Sequence, residues 1–380
     1  MTENMNTENV FFESLPFVCK PLDSCNNEDG LPNFLNFKAK VDTETGLIYQ
    51  EFDAYVEECL IKSYQSGAML SGLMSDSGNG RRYADDFFSF IKESYGDVSG
   101  KKILEIGCGT GYLMYRLEKL GAKTIGIEPG DSHKEYHEKY GVEVIDGFFP
   151  SEQLKDKYDI IIFYGVLEHI TNTNEFLLSL KKYLSKKGEI ILAVPDCEEY
   201  IKYGDISMFI HEHYNYFTQN TLSSCLYESR FKVTNNKKSM YGGLIYLRAG
   251  NYPPLPIKKD YNQPNTFFGS YKKKTNIIRD ILIKHHTKSV GIYVCGRIIN
   301  TLSILKNDVD LSNIRFFDDN PLLKNKYYPG FDIKIESLED FLNRPPEVVL
   351  IMSRSFEDAI SKNIRNKAEI VYPWSDIFLN

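Results

Sequence analysis

Long apolar runs are what this chain most plainly lacks. No stretch of its 380 residues approaches the roughly 18 consecutive apolar positions that a membrane-crossing helix needs. The opening residues, Met1 to Val10, are polar and show no basic start followed by an apolar core, so no secretory leader is expected. A basic excess is missing as well. The 45 Lys and Arg stand against 52 Asp and Glu, a formal charge of −7, which argues against a nucleic-acid backbone as the main partner. Cysteine is sparse, seven in all and without paired spacing, which points to reduced thiols and a cytoplasmic setting. Cys19, Cys25 and Cys59 fit no common zinc spacing.

What is present is an ordinary globular composition, 42% hydrophobic and 26% charged, on a chain long enough for two cores. The most informative stretch runs from Lys101 to Glu128. Ile103, Leu104 and Ile106 make a short apolar run suited to a buried parallel strand. Gly107, Gly109 and Gly111 then permit a tight turn into a helix spanning Tyr112 to Leu120. A second strand, Lys123 to Glu128, ends in a carboxylate 21 positions after the first glycine (128 − 107). Glycines that let backbone approach a ligand, with an acid at the next strand's end to accept ribose hydroxyls, describe a nucleoside site. The spacing is G-x-G-x-G, however, and Tyr112 stands where a dinucleotide fingerprint has its last glycine. That disfavours a nicotinamide-dependent oxidoreductase. Glu105, an acid beside the turn, suits a cationic aminoacyl nucleoside better than an anionic pyrophosphate.

Strand and helix patterns alternate on either side of a proline-rich break. Residues 1 to about 15 read as disordered, Val41 to Gln50 as a hairpin, Tyr64 to Ser77 as a mobile loop and Arg81 to Tyr95 as a helix. Strands follow at Val142–Asp146, Asp159–Phe163 and Glu189–Pro195, with a helix from Asn174 to Leu184. Asp146 and Phe148 are placed to edge-bond and stack an adenine ring. Phe231–Val233 and Leu244–Leu247 complete the sheet as an antiparallel edge pair. Asn251 to Thr266, with four prolines, reads as a linker, and Phe267 to His286 as a helix. A second alternation then begins at Val290 and lacks the first one's glycine motif. The expected organisation is α/β throughout: an N-terminal segment (1–97), a nucleoside-binding domain (98–250), a linker (251–266) and a smaller C-terminal α/β domain (267–380).

Candidate chemistry lies at His211-Glu212-His213, about 15 residues beyond the fifth strand, and at His169, just past the fourth. A neutral imidazole within reach of a substrate proton makes a general base, and histidine suits that work because it titrates near neutral pH. A metal reading of H-x-H needs further ligands, and the neighbouring sequence offers none, so no metal is expected.

Glu105-Ile-Gly-Cys-Gly-Thr-Gly111 resembles motif I of class I S-adenosylmethionine-dependent methyltransferases, and Glu128 matches that family's ribose-binding acid. The order of the parts further resembles the three-part sugar C-methyltransferases, which act on nucleotide-linked keto-deoxysugars. The added anchors are His211-Glu-His213, Gly242-Gly243 before a strand, Phe317-Asp-Asp-Asn-Pro321 and Tyr328-Pro-Gly330. The resemblance implies a Rossmann-like cofactor domain followed by a second Rossmann-like domain. It implies S-adenosylmethionine held by Glu105, Gly107, Gly109, Gly111, Glu128, Asp146 and Phe148. It also implies His213 as base, with Glu212, His169 and Tyr64 beside it. Asp42-Thr-Glu-Thr-Gly46 replaces the family's zinc-binding C-x-x-C-G, so the zinc segment is degenerate. Ile210 stands where the family has a tyrosine, and Gly242-Gly-Leu-Ile-Tyr246 replaces its G-G-S-x-R. Those departures leave transfer to oxygen or nitrogen, and a non-catalytic binding member, as alternatives.

Overall fold

A computed structural model describes residues 10–27, 30–65, 78–130, 133–254, 262–353 and 356–373. The chain opens with three antiparallel strands, β1 (Val10–Pro16), β2 (Phe34–Val41) and β3 (Ile48–Gln50). The expected hairpin is therefore present, and Asp42 closes its turn by accepting the Thr45 N–H at 2.7 Å. The expectation of disorder up to about residue 15 is corrected for residues 10–15. Val10, Phe12 and Leu15 of β1 are buried in a core shared with Phe37, Ala39 and Ile48, which makes the strand worth ordering. Helix α1 (Ala54–Gln65) follows; its end takes in Tyr64 and Gln65, the first two residues read as a mobile loop, and the rest of that loop, 66–77, lies outside the described residues. Helix α2 (Gly78–Tyr95) then leads into the central sheet.

That sheet contains β4 (Lys102–Ile106), β5 (Lys123–Glu128), β6 (Val144–Asp146), β7 (Tyr158–Tyr164) and β8 (Leu184–Pro195), all parallel. Helices α3 (Tyr112–Glu118), α4 (Lys134–Tyr140) and α5 (Thr173–Leu180) make the crossovers. Strand β8 begins five residues earlier than the sequence indicates, because Leu184 pairs with Tyr158 before a register shift. The chain continues through α6 (Glu198–Tyr203), the short strand β9 (Asn215–Tyr216) and α7 (Gln219–Glu228). A capping box between Thr218 and Thr221 starts α7. Strands β10 (Lys232–Lys238) and β11 (Leu244–Gly250) complete the sheet, β11 lying antiparallel against β8. The order β10-β11-β8-β7-β4-β5-β6 puts its switch point between β4 and β7, where a ligand crevice opens at the strands' carboxyl ends.

Alternating side chains bury both faces of this sheet. Leu104, Ile106, Ile161, Phe163 and Leu192 pack against Leu177 and Leu180 of α5 and Leu222 and Leu226 of α7. Ile103, Ile160, Ile162 and Ile191 pack against Phe87, Phe90 and Ile91 of α2 and Leu113 of α3. This is the three-layer α/β sandwich that the apolar runs imply.

Helix α8 (Asn262–Lys284) starts five residues before the expected position, within the stretch read as linker. Pro264 does not prevent this, since a first-turn proline lacks an N–H that has no intrahelical partner anyway. The second parallel sheet comprises β12 (Val290–Tyr293), β13 (Ile314–Phe317), β14 (Ile335–Glu336), β15 (Val348–Ile351) and β16 (Glu369–Val371), in the order β14-β13-β12-β15-β16. Helices α9 (Ile299–Leu305), α10 (Leu338–Asn343) and α11 (Glu357–Ile364) cover it together with α8. Strand β9, from the middle of the chain, pairs with β3 and extends the N-terminal sheet to four strands. Phe209 and Tyr216 enter that sheet's core together with Phe267 of α8, so all three parts of the chain meet there.

Among the described residues no helix is long and apolar enough to cross a membrane. At the junction of α6 and α8, Gly204 sits at φ +63°, and a Cβ there would lie 2.3 Å from the Tyr271 nitrogen and 2.4 Å from the Ser270 carbonyl carbon. Gly204→Ala is expected to lower stability by about 2–4 kcal/mol, from backbone strain plus the overlap. The shift in urea midpoint measures it, and an unchanged midpoint would show that the two helices are free to separate.

Candidate active site

The turn after β4 is shaped by glycine. Gly107 adopts φ +68°, and a Cβ on it would come within 2.6 Å of Val166 Cγ2, from the turn after β7. Gly111, at φ +73°, starts α3 and leaves no room for a side chain against Val142. Glu128 closes the crevice on one side, its Oε2 accepting the Gly109 N–H at 2.9 Å. His137 of α4 pins the same residue from another direction, donating from Nε2 to the Gly109 carbonyl at 2.7 Å. Sequence spacing gave no hint of that contact. Burial raises the Glu128 carboxyl above its ordinary value, against the opposing pull of the Gly109 N–H and His137.

Glu105 is wholly buried; the Met114 N–H is near its carboxyl, but neither oxygen receives a donor in hydrogen-bond geometry. Burial first, and Glu128 second, push its pKa well above the carboxylate range. A buried acid without a donor is costly unless a cation or donor arrives to complete it. The glycine cradle and the orphaned acid together fit a cationic aminoacyl nucleoside. Beyond Glu128 lies a cavity of about 260 Å³ lined by Gly130, Lys134, His137, Val142 and Asp146. Asp146 accepts the Gly130 N–H at 3.1 Å, and Phe148 stands 77% exposed beyond β6. The seven residues expected to hold a nucleoside cofactor thus lie at or just beyond the carboxyl ends of β4, β5 and β6.

The second cluster forms where the turn after β7 meets the segment His213–Tyr216. Tyr214 N donates to the Glu168 carbonyl at 2.7 Å, and the Asn215 amide donates to the carbonyls of Leu167 (3.1 Å) and Ile170 (2.7 Å). His169 donates from Nδ1 to the Glu212 carbonyl at 2.8 Å. Those bonds set the His169 and His213 rings edge to face, with centroids 4.7 Å apart. Burial lowers the pKa of both imidazoles, that of His213 well below its ordinary value with His169 adding to the effect. Both are therefore uncharged near neutral pH.

His211 takes no part. It is buried between Phe17 and Phe37, with Nε2 3.4 Å from the Leu15 carbonyl, and its pKa is lowered to about 4 by burial. Glu212 is buried beside the cluster. The Tyr64 side chain lies outside the described residues. A residue that the sequence reading passed over is Glu168, whose carboxyl joins the two imidazoles; its pKa is pushed up to about 8, chiefly by burial. The two imidazoles of the H-x-H pair do not converge, because His211 turns into the core; His213 meets Glu168 and His169 instead. Glu168 and His169 come from the turn after β7, distant in sequence from His213 but adjacent at the sheet's switch point.

Residues 78–236 match the family model described as a methyltransferase domain. The chain is 30% identical over 117 residues to the mitochondrial ubiquinone biosynthesis O-methyltransferase of Schizosaccharomyces pombe, covering 28% of this chain and 43% of that protein. It is 20% identical over 314 residues to the C-methyltransferase NovU of Streptomyces niveus, covering 76% of this chain and 75% of that one. It is 34% identical over 111 residues to the tRNA U34 carboxymethyltransferase of Colwellia psychrerythraea, covering 27% and 34%. The chain thus spans less than half the length of the first and third of these relatives.

If Glu105 serves the cofactor rather than the fold, Glu105→Gln is expected to leave thermal stability unchanged or raised, since it removes a buried acid. It should weaken S-adenosylmethionine binding about tenfold or more in calorimetry. Unchanged binding would remove Glu105 from the cofactor site. The matches and the geometry agree at the β4 turn: the chain carries an S-adenosylmethionine-dependent methyltransferase domain of the class I fold.

Proposed function

We propose that this enzyme transfers a methyl group to carbon on a small-molecule acceptor, a nucleotide-linked keto-deoxysugar. The observation that carries the reading is an uncharged imidazole, His213, set edge to face with a second, beside the glycine cradle. The similarity to NovU, named a C-methyltransferase, supports it because that match runs through 76% of this chain and so extends past the methyltransferase domain. The division into an N-terminal segment, a cofactor domain (98–250) and a C-terminal α/β domain (267–380) belongs to the same proposal.

Glu128 and the Gly107–Gly111 backbone would hold the nucleoside end of the cofactor, and Glu105 its cationic part. When bound, the cofactor supplies an electrophilic methyl on a positively charged sulfur. The protein's part is to position the acceptor and make its carbon nucleophilic. His213 removes the proton beside the acceptor's carbonyl, and the electron pair left behind gives an enolate whose carbon is the nucleophile. His169 is held in one tautomer by the Glu212 carbonyl. The positive charge that His213 gains favours ionisation of the Glu168 carboxyl within the same cluster.

The test separates proton removal from methyl transfer. With S-adenosylhomocysteine bound, wild-type protein in deuterated water is expected to exchange the proton beside the carbonyl of a nucleotide-linked keto-deoxysugar. His213→Ala should slow that exchange, and transfer from labelled cofactor, by about 100-fold or more. Label found on oxygen would redirect the reading to a hydroxyl acceptor, and full activity in the variant would take His213 out of the mechanism.

A further inference from the structure

We infer that Glu168, His169 and His213 form a binding site for a divalent transition-metal ion at the carboxyl end of β7. One carboxylate oxygen and one nitrogen from each imidazole lie within 4.8 Å of one another, Glu168 Oε1 being 4.0 Å from His169 Nε2. Ligation by nitrogen and oxygen occurs at about 2.0–2.2 Å from such an ion, so three side-chain tips closing by roughly 1 Å complete the site. Rotation about side-chain torsions supplies that movement without shifting the backbone.

Three features favour an ion over simple packing. Glu168 is only 3% exposed, and its Oε2 has no hydrogen-bond partner. Buried carboxyls are ordinarily satisfied by donors or by cations, and this one faces the His169 and His213 imidazoles. The His169 Nδ1–H is committed to the Glu212 carbonyl, which leaves the lone pair on Nε2, the nitrogen facing Glu168. An outer hydrogen bond of this kind fixes the tautomer of metal-ligating histidines. His213 is set on a restrained backbone: its N–H donates to the Ile210 carbonyl at 3.0 Å, and its own carbonyl accepts the Tyr216 hydroxyl at 2.8 Å. Its ring is thus presented to His169 from fixed support.

The chelate is not the H-x-H pair, since His211 faces the Leu15 carbonyl and the rings of Phe17 and Phe37. Two imidazoles with one carboxylate select zinc, manganese or ferrous iron over calcium or magnesium, which prefer all-oxygen sites. Three protein ligands leave at least one coordination position for water or an acceptor oxygen. A Cβ on Gly165 would lie 3.6 Å from Glu168 Oε1, so the carboxyl abuts the end of β7, next to the turn that meets Gly107. A bound ion would take up the His213 lone pair, so ion binding and proton removal by His213 exclude one another. The inference concerns ion binding and stands apart from the identity of the acceptor.

The experiment titrates chelator-treated full-length chain with Co(II), reading its visible spectrum, and with Zn(II) by calorimetry. One equivalent is expected, with the spectrum of nitrogen and oxygen ligation. His169→Asn, His213→Asn and Glu168→Gln should each weaken binding about tenfold or more, with circular dichroism unchanged. Should one variant fail to fold, the other two still report. Absence of stoichiometric binding, thiolate charge-transfer bands, or unaltered binding in the His169→Asn/His213→Asn double variant would overturn the site. Ion binding without methyl transfer to any keto-sugar would sustain this site and remove the proposed acceptor. Transfer by chain that takes up no ion would do the reverse.

Discussion

Four hydrogen bonds between the turn after β7 and the segment Glu212–Asn215 hold the candidate site together. The carbonyls of Leu167, Glu168 and Ile170 are taken up by Tyr214 and Asn215, and the Glu212 carbonyl by His169. Each such bond is worth only about 1 kcal/mol net, but opening one leaves a buried carbonyl unpaired, at about 1–3 kcal/mol. The asymmetry makes the arrangement specific rather than merely stable. Without it His213 has no fixed relation to His169. Strand β9 follows at once and pairs with β3, so the same contact anchors the N-terminal sheet to the central one.

Burial decides the charge state around this contact. It raises the acids Glu105, Glu128 and Glu168 and lowers the imidazoles His169 and His213, the largest cause in every case. Both kinds of group are driven toward their neutral forms, so the crevice approaches neutrality before anything binds. A cationic ligand reverses this for the acids, because a positive charge within a few ångströms favours the carboxylate.

The sequence revealed elements with strong local signals and concealed contacts made at a distance. Strand β5 falls on the predicted residues, because Lys123 to Glu128 carries both an apolar run and the acid that ends it. Strand β1 was hidden: its burial depends on Phe209 and Tyr216, about 200 residues away, and no local pattern reports that. His213 was legible as chemistry because H-E-H is unusual. Its neighbours were not, since Glu168 reaches it only after β7, β8 and α6 have formed. His211, alike in sequence, proves to be a core residue between two phenylalanines. Spacing of two within a turn sends the imidazoles to opposite sides, and which side meets the crevice is settled by packing against β1 and β2.

Gly107 ties these levels to one another. Its positive φ explains why glycine suits the turn, but the nearer constraint is Val166, 2.6 Å from the missing Cβ. Val166 stands two residues before Glu168 and three before His169, so the glycine cradle and the turn bearing those two residues are in van der Waals contact. A side chain at 107 would therefore press on the turn that carries Glu168 and His169, besides narrowing the cradle. Interiors packed to crystal-like density transmit such displacements rather than absorb them. One close contact thus ties the two loops together at the switch point, where neighbouring strands β4 and β7 end side by side.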